Sequence, residues 1–418
     1  MSRITGIETK AQKHLNMRRN ALKGLAKKKN DQSSNSYIKD TSTNDIDRQQ
    51  IGELLHKLPK LDSIFEVHRK IGEGTFSTVY LGTIRQHSQL PDKEKRWFAI
   101  KHLVPTAHPA RIEHELQCLQ DIGGKENVIG VDLCLRHLDT VVFVMPYIAH
   151  TKFSEYVDDM DAEELRQYMV ALLTALQHVH SFGVIHRDVK PSNFLYDRKN
   201  RRYLLVDFGL SQQVCESPPH QNRKRSRDES NSIRSTIAEG AECSCFGRPG
   251  VCGPCLTRAG ARAARAGTQG FRPPEVLLKY PRQTGAVDVW ASGVVAASVL
   301  LARYPLLRAA DDLSALAELC ELLGTAALQR TAKRLGRRLL TSVYRPGLCL
   351  RQMCLRLRGL PRAPCAHCRE PHAPPPESRV GPFPEAAFAF ADSLLEADPH
   401  LRPSAAAALA HPFLTGRW

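Results

Sequence analysis

No run of eighteen apolar residues occurs in this chain, and its first thirty residues hold no apolar signal segment. A membrane-spanning helix needs about 20 consecutive apolar residues, so the pattern excludes a helical membrane protein and leads us to expect a soluble, intracellular one. Acidic residues are also in short supply, with 43 Asp and Glu against 59 Lys and Arg and a formal net charge of +16. Twelve cysteines in a chain of this kind argue for reduced thiols or metal ligands rather than disulfides.

The basic excess is uneven. Residues 1 to 30 carry nine Lys or Arg and one Glu, end in Lys27-Lys28-Lys29, and run on into a Ser/Asn/Asp-rich stretch to about Gln50. This composition reads as a mobile basic arm, residues 1–60. It is either a solvated tail or a segment for nuclear import or direct nucleic-acid contact, and the residues leave that choice open. A second basic cluster, Arg223-Lys224-Arg225-Ser226-Arg227, lies far downstream.

Two motifs carry chemistry. Residues 185 to 193 read Ile-His-Arg-Asp-Val-Lys-Pro-Ser-Asn, and Asp207-Phe208-Gly209 follows. His186-Arg187-Asp188 with Asn193, then Asp207-Phe208-Gly209, match the H-R-D-x-x-x-x-N and D-F-G signatures of protein kinases. Upstream, Ile71-Gly72-Glu73-Gly74-Thr75-Phe76-Ser77-Thr78-Val79 precedes Phe98-Ala99-Ile100-Lys101. Glycine lets a hairpin bring backbone N–H groups onto phosphate oxygens without a Cβ in the way. The third glycine of the pattern is missing here and Ser77 stands in its place.

Lys101 alternates out of step with Phe98 and Ile100, so a period-two strand points it away from the neighbours that fill the core. A buried lysine needs a carboxylate. The first helical pattern downstream, residues 111 to 119, places Ile112, Leu116 and Leu119 on one face. Glu115 flanks that stripe and is the expected partner; Glu113 is the alternative. Residues 141 to 148, Val-Val-Phe-Val-Met-Pro-Tyr-Ile, read as a buried strand ending at a hinge.

With these motifs in order, the chain resembles eukaryotic serine/threonine protein kinases from Gly72 to Arg402. The resemblance implies an α+β, bilobal kinase fold: a β-rich small lobe over 61–148 and a helical large lobe over 149–418. It also implies ATP and Mg²⁺. Ile71, Gly72, Gly74, Ser77, Val79 and Ala99 would enclose the nucleotide, with Met145 guarding the back pocket and Pro146 and Ile148 meeting adenine through their backbones. Asp188 would accept the substrate's hydroxyl proton and Lys190 would sit near the transferring phosphate. Asn193 and Asp207 would hold Mg²⁺, and Lys101 with Glu115 would align ATP. Gly267-Thr268-Gln269-Gly270-Phe271-Arg272-Pro273-Pro274-Glu275 resembles the close of an activation segment, with Pro273 in place of the usual alanine. Thr268 should bond into the catalytic loop, Glu275 should meet Arg402, and Asp288 should tie the helical lobe to that loop.

Asp207 to Glu275 is long for a kinase, which places an insert at about 213–256. Its first half is Pro, Ser, Asn and Arg; its second half holds Cys243-Ser244-Cys245 and Cys252-Gly253-Pro254-Cys255. Four thiolates so close can close a tetrahedral zinc site. The alternatives are free thiols, or zinc with one ligand from Cys365-Ala366-His367-Cys368. That pair lies in a second insert, about 343–380, whose sequence looks too irregular for a helix.

The resemblance narrows to the family of the cell-division-cycle seven kinases, on Ile129-Gly130-Val131, Met145-Pro146-Tyr147, residues 204–210 and the cysteine-bearing insert before Ala266-Gly267-Thr268. It implies a nuclear heterodimer with an activating regulatory subunit. The implied substrates are acidic Ser/Thr sites on the minichromosome maintenance helicase. Arg262 and Arg265 suit such substrates, unless they are only solvated. Two other classes remain open: a pseudokinase scaffold, although Lys101, Asp188, Asn193 and Asp207 are all present, and a zinc-dependent nucleic-acid-binding protein.

Overall fold

The computed structural model describes residues 44–74, 76–104, 109–214, 267–361 and 379–416. Cys243, Cys245, Cys252, Cys255, Arg262, Arg265, Cys365 and Cys368 therefore lie outside the described residues. The chain divides into Met1–Glu53 and Leu54–Trp418. Of the first unit the described part is the opening of helix α1 (Asn44–Lys57). The mobile arm expected to reach Gln50 and beyond is thus corrected over its described part, where Asn44–Lys57 is helical. Asp45 and Asp47 in the first turn, with His56 and Lys57 in the last, match the helix dipole at both ends. Helix α2 (Pro59–Ile64), with proline in its first turn, carries the chain across the expected boundary at residue 60.

Five antiparallel strands follow: β1 (Phe65–Gly74), β2 (Ser77–Ile84), β3 (Trp97–Leu103), β4 (Leu133–His137) and β5 (Thr140–Pro146), in the order β1-β2-β3-β5-β4. Helix α3 (Pro109–Asp121) joins β3 to β4. Strand β3 stands between β2 and β5, with Lys101 opposite Val79 on one side and Phe143 on the other. Phe98 and Ile100 are buried on one face of β3 and Lys101 and Leu103 on the other. Lys101 is enclosed on that second face, where α3 brings the Glu115 carboxylate over it. The buried side of α3 is also shifted: Glu115, Cys118 and Leu119 are buried, while Ile112 and Leu116 are only partly so.

Helix α4 (Ala162–Ser181) begins where Asp161 accepts the Glu164 N–H, an N-cap. It buries Leu165, Met169, Leu172, Leu176 and Val179, the i, i+4, i+7 stripe of an amphipathic helix. The short strands β6 (Val184–Ile185), β7 (Phe194–Asp197), β8 (Arg202–Leu205) and β9 (Gln212–Gln213) form two hairpin-like pairs, β6 with β9 and β7 with β8. Helix α5 (Pro274–Leu277) leads to α6 (Ala286–Leu300), buried from Val287 to Leu300. A helix apolar all round has to be surrounded by others. It packs against α4 and against α10 (Glu385–Leu394), with α7 (Asp312–Leu323), α8 (Thr325–Arg334) and α9 (Leu350–Leu357) between them in sequence. Helices α11 (Ala405–Leu409) and α12 (Pro412–Thr415) close against α4.

Helix α9 corrects the expectation that residues 343–380 are too irregular for a helix. Leu350, Arg351, Cys354 and Leu355 are buried in it, and Arg351 pairs with Glu385 and Asp392 of α10. The apolar spacing was present in the sequence, but the arginine among it reads as a surface residue until α10 supplies two carboxylates. Among the described residues no helix is long and apolar enough to cross a membrane.

Candidate active site

Lys101 Nζ lies 2.5 Å from Glu115 Oε1 and 2.8 Å from Asp207 Oδ1. Glu113 is exposed instead. Burial works against the charge on Lys101, but Glu115 and Asp207 outweigh it and hold its pKa above the ordinary lysine value. Burial likewise opposes ionisation of Asp207, yet the charge and hydrogen bond of Lys101 leave its carboxyl below the usual carboxylate range. Asp207 sits at φ +70° and Arg187 at φ +66°, left-handed conformations that cost non-glycine residues about 1–3 kcal/mol each.

Asp188 is enclosed by donors. Thr268 gives its N–H at 3.0 Å and its hydroxyl at 2.7 Å to Oδ1. Oδ2 receives the Asn193 amide at 2.9 Å and stands 2.8 Å from Lys190 Nζ. Lys190 also donates to the Thr268 hydroxyl at 2.7 Å. Gly267 makes this approach possible: at φ +96° its Cβ would come within 2.8 Å of the Arg187 carbonyl oxygen, so a side chain there would push Thr268 off the loop.

The loop itself hangs from α6. The buried Asp288 carboxylate accepts the His186 N–H at 2.8 Å, the Arg187 N–H at 2.7 Å and His180 Nε2 at 2.8 Å. Burial alone would raise its pKa, but His180 and His186 keep the carboxyl below its ordinary value. His186 takes the Asp188 N–H on Nδ1 at 3.3 Å; Nε2 then carries the proton and donates to the Val206 carbonyl at 3.1 Å. Arg187 donates to the Leu210 carbonyl at 2.8 Å and to Gln212. Sequence reasoning missed His180, for which an Ile-His-Arg-Asp match offers no signal: it stands on α4, and only folding brings it to Asp288. Behind the loop, Arg402 Nη1 donates to Glu275 Oε1 at 2.8 Å with both side chains buried.

A cavity of about 280 Å³ opens over these groups, walled by Gly74, Ser77, Lys101, Asp188, Asp207 and Thr268 among others. The other residues expected to meet the nucleotide are not among these walls. Ile71 lies on β1 and Gly72 pairs with Val79 across β1 and β2. Ala99 stands opposite Met145 and Phe98 opposite Pro146 across β3 and β5. Ile148 follows, 3% exposed.

The donor set fits Mg²⁺. Asn193 Nδ2 is committed to the Asp188 carbonyl and carboxylate, which leaves its amide oxygen as ligand. Asp207 Oδ1 accepts from Lys101 and, at 3.3 Å, from the Gly209 N–H, which leaves Oδ2. Two hard oxygens of this kind suit a cation that keeps several waters and takes the rest of its ligands from phosphate.

The protein kinase domain family matches residues 65–228 and 254–414. The chain is 34% identical to a Drosophila melanogaster protein called non-specific serine/threonine protein kinase Cdc7, across 88% of this chain and 76% of that one. It is 34% identical to the Mus musculus Cell division cycle 7-related protein kinase, covering 81% of this chain and 80% of the relative. The Schizosaccharomyces pombe Cell cycle serine/threonine-protein kinase hsk1 is 31% identical, with 92% and 79% covered. This chain therefore belongs to the protein kinases, in the Cdc7 family of cell-cycle serine/threonine kinases.

Proposed function

We propose that this kinase phosphorylates acidic serine and threonine sites on the minichromosome maintenance helicase, in the nucleus and with an activating regulatory subunit, to start DNA replication. The observation that carries the catalytic part is Asp188, buried, ionisable and ringed by Thr268, Lys190 and Asn193. In this reading Asp188 accepts the proton of the target hydroxyl as the oxygen attacks the terminal phosphorus of ATP. Lys190 lies beside it and meets negative charge growing on the transferred group. Lys101, fixed by Glu115, holds the donor's phosphates in line, while Ile71, Val79, Ala99, Met145, Pro146 and Ile148 enclose the base. Mg²⁺ on Asn193 and Asp207, when bound, offsets charge on the phosphate oxygens.

Acidic-site selection is supported by the excess of basic residues and by Arg262 and Arg265, close in sequence to Gly267 and Thr268. Partner dependence is carried over from the resemblance to the Cdc7 kinases; in the single chain α3 already holds the Lys101–Glu115 pair closed. Zinc on Cys243, Cys245, Cys252 and Cys255 remains a proposal from spacing, tested by elemental analysis of protein purified without chelator.

The deciding assay is transfer of labelled phosphate from ATP to a serine peptide with Asp after the target, with and without nuclear binding partners. Activity that rises with a partner and prefers Asp over Ala supports the reading. Equal rates on both peptides defeat the acidic preference, and full activity of the isolated chain defeats the partner.

A further inference from the structure

Three cations and three carboxylates wall the cavity beside Asp188, and they do not match one to one: Lys101, Arg111 and Lys190 against Glu115, Asp188 and Asp207. Lys101 takes both Glu115 and Asp207, and Lys190 takes Asp188. Arg111, in the first turn of α3, is exposed and forms no ion pair among the described residues. A fourth cation is within electrostatic reach: burial holds the Arg187 pKa below its usual value, Asp288 opposes this, and Arg111 lowers it further.

We propose that Arg111 is a specificity-determining residue, holding a carboxylate or phosphate of the protein substrate next to its target hydroxyl. Gly74, Ser77, Lys101 and Asp207 make the phosphate-binding side of the cavity, and Asp188 takes the hydroxyl. What is left, between Arg111, Leu210, Gly267 and Thr268, is space for a side chain near the target in the peptide, and of these four residues the charged one is Arg111. A guanidinium fork binds carboxylate or phosphate through two parallel hydrogen bonds, which a lysine cannot reproduce. Selection for acidic sites then operates in the catalytic cleft itself, beyond Arg262 and Arg265. The inference rests on the acidic-substrate reading above. The same anion chemistry has one other source, a phosphate on this chain's own activation segment.

The test uses the full chain in the same assembly as wild type, and serine peptides carrying one Asp or phosphoserine at each position from three before to three after the target. An all-Ala peptide is the reference. For at least one acid position, Arg111→Ala should lower the acidic-to-reference ratio of kcat/KM by about tenfold, and Arg111→Lys should restore only part of it. An unchanged ratio overturns the inference while leaving the acidic preference standing. An equal fall on every peptide, reproduced by phosphatase treatment of wild type, assigns Arg111 to an internal phosphate and also overturns it. A wild-type enzyme with no acidic preference sinks both this inference and the reading beneath it.

Discussion

Thr268 gives Asp188 two hydrogen bonds at once, from its backbone N–H at 3.0 Å and its hydroxyl at 2.7 Å, although the residues are 80 apart in the chain. The activation segment is thereby fastened to the catalytic carboxylate at its last turn. Thr268→Val removes the hydroxyl and keeps the N–H. A hydrogen bond to a charged group contributes about 1.5–3 kcal/mol, so kcat should fall roughly tenfold or more, with KM for ATP little changed. Steady-state kinetics on one peptide check this; an unaltered kcat would remove Thr268 from the site.

Asp188→Asn should abolish phosphotransfer and leave nucleotide binding nearly intact, because the carboxylate meets the hydroxyl and not ATP. Asp207→Asn should weaken both, since it takes away a proposed metal ligand and a partner of Lys101. Turnover and fluorescent-nucleotide affinity, measured on both variants, separate the two roles. Wild-type turnover in Asp188→Asn would end its assignment as the proton acceptor.

The Arg402 to Glu275 pair is a stability element, with side chains 0% and 2% exposed. Removing one member of a buried pair costs about 3–5 kcal/mol, and without Glu275 the Arg402 charge keeps only the backbone carbonyls of Ala286, Glu396 and Ala397 as hydrogen-bond partners among the described residues. Glu275→Ala should therefore lower the melting temperature sharply, while Arg402→Met with Glu275→Leu should lower it less. Equal Tm values for the single variant and wild type would show that the pair contributes nothing.

Asp288 predicts a pH dependence. Its folded pKa lies below the ordinary value, and unfolded aspartate titrates near about 3.9. A depressed carboxylate stabilises the fold above the unfolded value, and that stability is lost as pH falls through the folded one. Asp288→Asn should be less stable at neutral pH and should show a shallower loss of stability below about pH 4. Urea unfolding across that range checks the slope; parallel profiles for variant and wild type would contradict it.

Chain chemistry was legible wherever a function fixes residue types at fixed spacing. Asp188 to Asn193 and Asp207 to Gly209 are local strings, because one loop must present a proton acceptor and a metal ligand together. Glu115 was expected over Glu113 from the apolar stripe it flanks, since residues two apart face nearly opposite sides of a helix; what the period does not give is the position of α3 above β3, which brings Glu115 to Lys101.

What composition and pattern determined by themselves is the kinase motif order, the elements around it and the positive charge of the chain. The tertiary structure alone decided two meetings of distant groups: His180 on Asp288, and Arg351 among Glu385 and Asp392 in a stretch read as irregular. It also placed a helix from Asn44, where polar composition pointed to an unstructured arm. The physical reason is common to the two contacts. Periodicity reports which face of an element is apolar, whereas a buried polar side chain is tolerated only because of a partner that another part of the chain delivers, and no local pattern encodes that partner.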